Sequence, residues 1–253
     1  VVIHLRSVSL SAALDREATG FPFDLPALRG VEAVPLTAPV TILVGENGSG
    51  KSTVLEAMAI SAKAITVGAT DAADDPTLQG VRALARSMRL TWTRRPPRGF
   101  FLRAEDFFGF AKRIDAMRDG LEADLRRIDA DYADREAYAR NLARSPIQKE
   151  LAALRARYGD GLDTRSHGEA FLHLFAERLV PGGMYFLDEP EAPLSPARQL
   201  SFMALLKQAV EADAQVVMAT HSPILLAFPG AALLSFDTSP LGPVRYEDLE
   251  HVT

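Results

Sequence analysis

Gly45-Glu46-Asn47-Gly48-Ser49-Gly50-Lys51-Ser52 sets a lysine and a hydroxyl at the end of a glycine-punctuated loop, an arrangement that captures polyphosphate. The glycines let successive backbone N–H groups turn inward on phosphate oxygens, and a following helix N-terminus adds its partial positive charge. Lys51 reaches the β- and γ-phosphates and Ser52 is placed to ligate Mg²⁺. Gly45, Asn47, Gly48, Ser49, Gly50 and Thr53 make up the rest of the cradle.

A second group of residues extends this chemistry. The apolar run Met184-Tyr185-Phe186-Leu187 ends in Asp188-Glu189. Two adjacent acids at the end of a buried strand are costly without a cation. Asp188 therefore reads as a holder of Mg²⁺ opposite Ser52, and Glu189 as the group that orients or deprotonates an attacking water. A further apolar run, Ala214 to Ala219, is followed by His221, which would reach the γ-phosphate edge of the same site from a parallel strand. Ser166-His167-Gly168-Glu169 opens an apolar helical stretch from Ala170 to Leu179. Its hydroxyl and backbone N–H groups suit an anion, and Ser166 with Glu169 equally fits a helix capping box.

The elements that must position these residues are legible around them. Val40 to Val44 is a β-branched run, and Val54, Leu55 and Met58 follow the loop at helical spacing. Glu191 to Pro196 turns into a helix from Ala197 to Glu211. Runs that are apolar throughout belong to parallel strands covered on both faces, and ligands gather at the carboxyl ends of such strands. These patterns predict an α/β fold with a mainly parallel central sheet flanked by helices. Alternation from Val1 to Leu10 predicts an N-terminal strand in an antiparallel part. The prolines between Thr19 and Val40 leave room for one short strand near Val31 to Val34, and Arg6, Phe21 and Phe23 are the nearby groups that could cover an adenine. Gly68 to Gly80 reads as an exposed loop, and strands are predicted at Met88 to Thr93 and Phe100 to Leu102. Glu105 to Tyr158 is helical and charged. Gly120 and Ser145-Pro146 are expected to divide it into three helices, the last beginning at Pro146. The predicted organisation is a core of residues 1–104 and 159–253 with an inserted helical lobe at 105–158.

The 253 residues are 47% hydrophobic, enough for one large core, and the formal net charge of -5 excludes a protein that holds DNA by overall charge. Arg82, Arg86, Arg89, Arg94, Arg95, Arg98 and Arg103 concentrate basic charge locally, as a nucleic-acid or partner surface or as a solvated face. There is no cysteine, which excludes disulfides and thiolate metal sites. The absence of a long apolar run and of a signal-like N-terminus predicts a cytoplasmic protein without direct membrane insertion.

In order and spacing these motifs resemble the ATP-binding-cassette ATPase superfamily. The glycine loop, the signature-like 166–169 segment, the Asp188-Glu189 strand, the Ala192 to Pro196 turn and His221 fall in that superfamily's order. The text Asp188-Glu189-Pro190-Glu191 with Leu194 and Pro196 is similar to its soluble SMC-like, RecF-like and OLD-like branch. The resemblance implies ATP and Mg²⁺ as ligands, with Ser52 and Asp188 on the metal and Lys51, Glu189 and His221 as catalytic groups. It also implies an ATP-dependent homodimer in which Ser166 and Gly168 of one chain cap the nucleotide held by the other. The helical lobe would then carry the motion to an effector or partner protein, in DNA repair or defence. Two rival readings are a nucleotide-binding subunit of a transporter and a low-turnover ATP sensor that regulates an effector. One departure stands out: where the superfamily has a glutamine after the Phe100 to Leu102 strand, this chain has Arg103-Ala104-Glu105, and no SMC-scale arm is present.

Overall fold

Strands that are apolar on both faces need cover on both, and this requirement sets the architecture. The computed structural model describes residues 2–10, 20–67, 79–158 and 167–249. The strands are β1 (Leu5–Leu10), β2 (Ala33–Pro35), β3 (Val40–Val44), β4 (Ile65–Val67), β5 (Met88–Trp92), β6 (Gly99–Arg103), β7 (Met184–Asp188), β8 (Gln215–Ala219), β9 (Ala232–Ser235) and β10 (Gly242–Val244). The helices are α1 (Lys51–Ser61), α2 (Gln79–Ser87), α3 (Ala104–Asp131), α4 (Ala137–Tyr158), α5 (His167–Arg178), α6 (Pro196–Glu211) and the short α7 (Pro223–Leu226).

Seven strands form one sheet in the order β10-β9-β3-β8-β7-β6-β4, parallel throughout except for β10 against β9. Alternate residues feed two cores. Val40, Ile42, Tyr185, Leu187, Val216 and Met218 face a cluster with Phe107, Phe171, Phe175 and Phe202, drawn from α3, α5 and α6. Leu43, Phe186, Val217 and Ala219 face the opposite cluster, with Val54, Leu55 and Met58 of α1 and Leu84 of α2. This is the predicted α/β sandwich.

A second sheet, β2-β1-β5, is antiparallel and covers the α1 side through Leu5 and Val8. Gln215 fastens it to the main sheet. Its fully buried side chain accepts the Leu5 N–H at 2.7 Å and donates to the Leu5 carbonyl at 2.9 Å, which satisfies a buried amide and a buried backbone pair together.

The 104–158 region departs from expectation in one respect: it forms two helices, not three. Gly120 lies inside α3 and Pro146 inside α4, and the chain turns instead at 132–136. A glycine costs a helix only about 1 kcal/mol, and an interior proline about 3 kcal/mol, losses that packing between partnered helices can offset. Here α3 and α4 run back along each other, joined by Arg144 to Asp129 at 2.5 Å and Arg155 to Glu122 at 3.0 Å. The base of the pair is built into the sheet core through Phe107 and Ile114, with Leu154 packed against them.

A Cβ placed on Gly120 would meet nothing within 4 Å, so this glycine contributes only backbone freedom to the unfolded chain. Gly120→Ala is expected to raise stability by about 0.5–1 kcal/mol, or roughly 1–4 °C in Tm, without affecting nucleotide binding. Thermal melting checks this; an unchanged or lower Tm would show that α3 is not continuous through residue 120.

Candidate functional site

The sheet order brings three strand ends together. β3, β8 and β7 are neighbours, with Asp188 paired in register with Ala219, so the glycine loop, the Asp188-Glu189 pair and His221 all leave the same edge of the sheet. The loop from Gly45 uses backbone conformations that favour glycine: φ is +81° at Gly48 and +101° at Gly50, the residue that caps α1. A Cβ on Gly50 would come within 2.7 Å of the Leu25 side chain, so the 20–28 segment packs directly on the loop. Asn47 and Gly48 are exposed at the loop tip, while Ser49, Ser52 and Thr53 are half-buried.

Lys51 is only 5% exposed, and its ammonium is turned back on its own loop, donating to the Gly45 and Glu46 carbonyls at 2.7 Å each. Burial pushes its pKa down, against Asp237, Glu189 and Asp188, which hold it up. Ser52 Oγ donates to Asp188 Oδ1 at 2.9 Å. The predicted pair of metal-holding oxygens is thus in contact across β7 and α1. Burial raises the Asp188 carboxyl to about 6, against the Ser52 hydrogen bond and Arg103, which pull it down. A desolvated carboxylate beside a hydroxyl is a hard-oxygen pair that suits Mg²⁺. Among the described residues no group of three or more His, Cys, Asp or Glu could hold a metal alone.

Glu189 is exposed and adopts φ +48°, a left-handed conformation unusual for a side chain with a Cβ, and its N–H is fixed on the Ala219 carbonyl at 2.9 Å. The conformation ends β7 abruptly and turns Glu189 out of the sheet. His221 is held through its backbone: its N–H donates to Glu191 Oε1 at 2.8 Å. Among the described residues, His221 Nε2 and Glu191 Oε2 are buried with no hydrogen-bond partner. Ser222 Oγ donates to Gln199 Oε1 at 2.5 Å, joining the His221 loop to α6.

Gly168, in the first turn of α5, is buried; its missing Cβ would meet Arg198 at 2.7 Å and the Pro193 carbonyl at 3.0 Å. Glu169 lies 3.6 Å from Arg198. Ser166 lies outside the described residues, as do the 159–161 break and most of the Gly68 to Gly80 loop. Of the three groups considered for adenine, Phe21 is exposed, Arg6 is exposed on β1, and Phe23 packs against the core.

Two residues at the site, Asp237 and Glu56, escaped the sequence reading, and a third, Arg103, is legible there only as part of a basic cluster and as the residue in place of a glutamine. Asp237, just beyond β9, accepts the Glu46 N–H at 2.8 Å; its signal was its place after another parallel strand. Arg103 and Glu56 pair beside Asp188, and nothing in the spacing of a helical glutamate and a strand-end arginine announces that they meet.

With this geometry in place, comparison with known proteins identifies the class. The sequence profile of the family described as "AAA domain, putative AbiEii toxin, Type IV TA system" matches residues 40–159 and 170–227, more than half of the chain. The chain belongs to this family of ABC/AAA-type ATPases. No curated protein matches. Among solved structures, the Smc head domain of Pyrococcus furiosus, with an extended coiled coil and bound to the C-terminal domain of ScpA, superposes with a TM-score of 0.50 at 13% identity. That match covers 96% of this chain and 97% of the other. The SMC head domain of Thermotoga maritima gives 0.48 at 16% identity, covering 96% and 100%. A "putative metal-chelate type ABC transporter" in an inward-facing conformation gives 0.49 at 18% identity, covering 97% and 85%. The first of these likenesses shows the fold, an SMC-head-type P-loop sandwich.

The raised Asp188 carboxyl has a measurable effect. Between about pH 4, where the unfolded chain releases this proton, and about pH 6, where the folded chain does, the native state binds more protons. Its contribution to stability therefore falls as pH rises through that window. Asp188→Asn is expected to stabilise the ligand-free protein at pH 8 by on the order of 1–3 kcal/mol, a gain that disappears below pH 4. Urea unfolding at both pH values checks this; a destabilised variant at pH 8 would mean that Ser52 and Arg103 outweigh the burial.

Proposed function

We propose that this chain binds MgATP in the Gly45 to Thr53 loop, hydrolyses it, and closes as a nucleotide-sandwich homodimer that changes the conformation of an effector protein. The observation that carries the reading is the Ser52–Asp188 contact, with Lys51 behind it and the strand ends bearing Glu189 and His221 beside it. Magnesium, when bound, neutralises charge on the β- and γ-phosphates, with Ser52 and Asp188 holding it. Lys51 exchanges the two loop carbonyls for phosphate oxygens, which repays the desolvation of its ammonium. Glu189, exposed beside Asp188, orients the attacking water and takes its proton. His221, carried just past the end of β8 beside Asp188, is the group directed toward the γ-phosphate, while Glu191 keeps its loop in place.

A single chain leaves the phosphate edge open, since Asn47, Gly48 and Glu189 are exposed. Ser166 and Gly168 of a second chain would close it, so that ATP supplies the differential affinity for the closed state and hydrolysis removes it. The 105–158 helices act as the lobe that carries this motion, and residues 1–104 and 159–253 as the ATPase core. The family's toxin–antitoxin description supports a defence setting. No helix among the described residues is long and apolar enough to cross a membrane.

Glu189→Gln keeps every binding group and removes the base. It is expected to bind ATP within a few-fold of wild type and to turn it over at least ~100-fold more slowly. Light scattering should show its mass doubling with MgATP and not with ADP. Near-normal turnover would remove Glu189 from its role, and a mass that stays monomeric with ATP bound would remove the sandwich.

A further inference from the structure

Arg103 occupies a place in this site that the chemistry above leaves unused. It ends β6 directly opposite Asp188 of β7 in the sheet register, and it caps the N-terminus of α3. Its guanidinium forks between two acids. Nη2 pairs with Glu56 Oε2, and Nε lies 3.7 Å from Asp188 Oδ2. Glu56 lies one helical turn beyond Ser52 on α1 and is 6% exposed, a burial that charged residues rarely accept without a partner. Arg82 and Asp106 also act on Glu56, with opposite signs. The arginine side chain is 29% exposed and rests over the Phe101 ring at 5.6 Å, which limits its swing. Both oxygens of Asp188 are thereby assigned: Oδ1 to Ser52 and Oδ2 to Arg103.

We propose that Arg103 is the positioning residue of the metal pocket: anchored by Glu56, it holds the far oxygen of Asp188 so that the near oxygen and Ser52 face the arriving cation. This rests on the ATP-binding reading above and assigns a task to the arginine that stands where the resemblance leads one to expect a glutamine. The physical reason is orientation. A carboxylate at a strand end turns about its side-chain torsions, and a cation held in place beside one oxygen, here Nε at 3.7 Å from Oδ2 with Nη2 anchored on Glu56, favours the rotamer that presents the other. A lysine at 103 would supply the charge without the fork. Glu56 acts one step further out, by fixing the fork.

The test is the Mg²⁺ dependence of nucleotide binding, read by fluorescence of a methylanthraniloyl ATP, mant-ATP, without turnover. Wild type is compared with Arg103→Met, Arg103→Lys and Glu56→Gln/Arg103→Met. The double variant is included because Arg103→Met alone strands a buried carboxylate, whereas the pair removes both charges. The expected result is a 10–100-fold higher Mg²⁺ midpoint in Arg103→Met and in the double variant. Mant-ATP affinity in EDTA stays unchanged, and Arg103→Lys recovers part of the loss. A Mg²⁺ midpoint within two-fold of wild type in the folded double variant would overturn the proposal. So would an equal loss of affinity with and without Mg²⁺, which would place Arg103 in the fold and not at the metal. If wild type binds no mant-ATP under any condition, the ATP-binding reading falls and this proposal falls with it; a wild type that binds without any Mg²⁺ gain overturns the proposal alone.

Discussion

Asp188 is a carboxylate at the end of a strand whose two faces are both covered, and the cost of holding charge there organises the surrounding site. Burial raises the cost of ionising it. Ser52 from α1 and Arg103 from β6 each offset part of that cost, one with a hydrogen bond at 2.9 Å and the other with a cation at 3.7 Å. Neither removes it, so the ligand-free pocket remains one in which added positive charge is favourable. A site of this kind trades stability for affinity, because the same desolvation that disfavours the empty carboxylate strengthens its attraction to a cation.

That trade works only because the sheet delivers the three strand ends to one edge. β3 follows the N-terminal β1 and β2 pair and is the first strand of the seven-stranded sheet in sequence, yet it lies between β8 and β9, two of the last three strands to be made. The loop after β3 and the acids after β7 are more than a hundred residues apart in sequence and meet through the single intervening strand β8. The helices that cover each face are therefore functional supports as well as packing. α1 brings Ser52 and Glu56 to the same edge one turn apart, and α6 holds the His221 loop through Gln199. The antiparallel sheet, pinned by Gln215, closes the α1 side.

How much of this the sequence discloses depends on the range over which each feature is encoded. The loop, its strand and its helix are local: Val40 to Met58 contains all three, and its periodicity and glycines are enough to read them. Asp188, Glu189 and His221 are legible because a buried strand ending in acid or imidazole is unusual in itself. Ser166 and Glu169 are not, since a capping box and an anion site have the same text. The helix count failed for a related reason. Gly120 and Pro146 are local costs of a few kcal/mol at most, and the ion pairs and packing between α3 and α4 that outweigh them are long-range. Gln215, Glu56, Asp237 and Arg103 are wholly long-range, single polar residues whose partners are fixed only by the finished topology.

Arg103 shows where the two kinds of information meet. The sequence marks an absence, a missing glutamine at the end of β6, and from text alone that absence weakens the case for a working metal site. The structure turns the same position into a presence, because the register of β6 against β7 sets the arginine opposite Asp188 and the pitch of α1 sets Glu56 behind it. A neutral amide at 103 would take from Glu56 the cation that pairs with it directly, and an arginine without Glu56 would lose the anchor on its Nη2. The glutamate and the arginine therefore make physical sense only as a pair, and together they fix the orientation of Asp188.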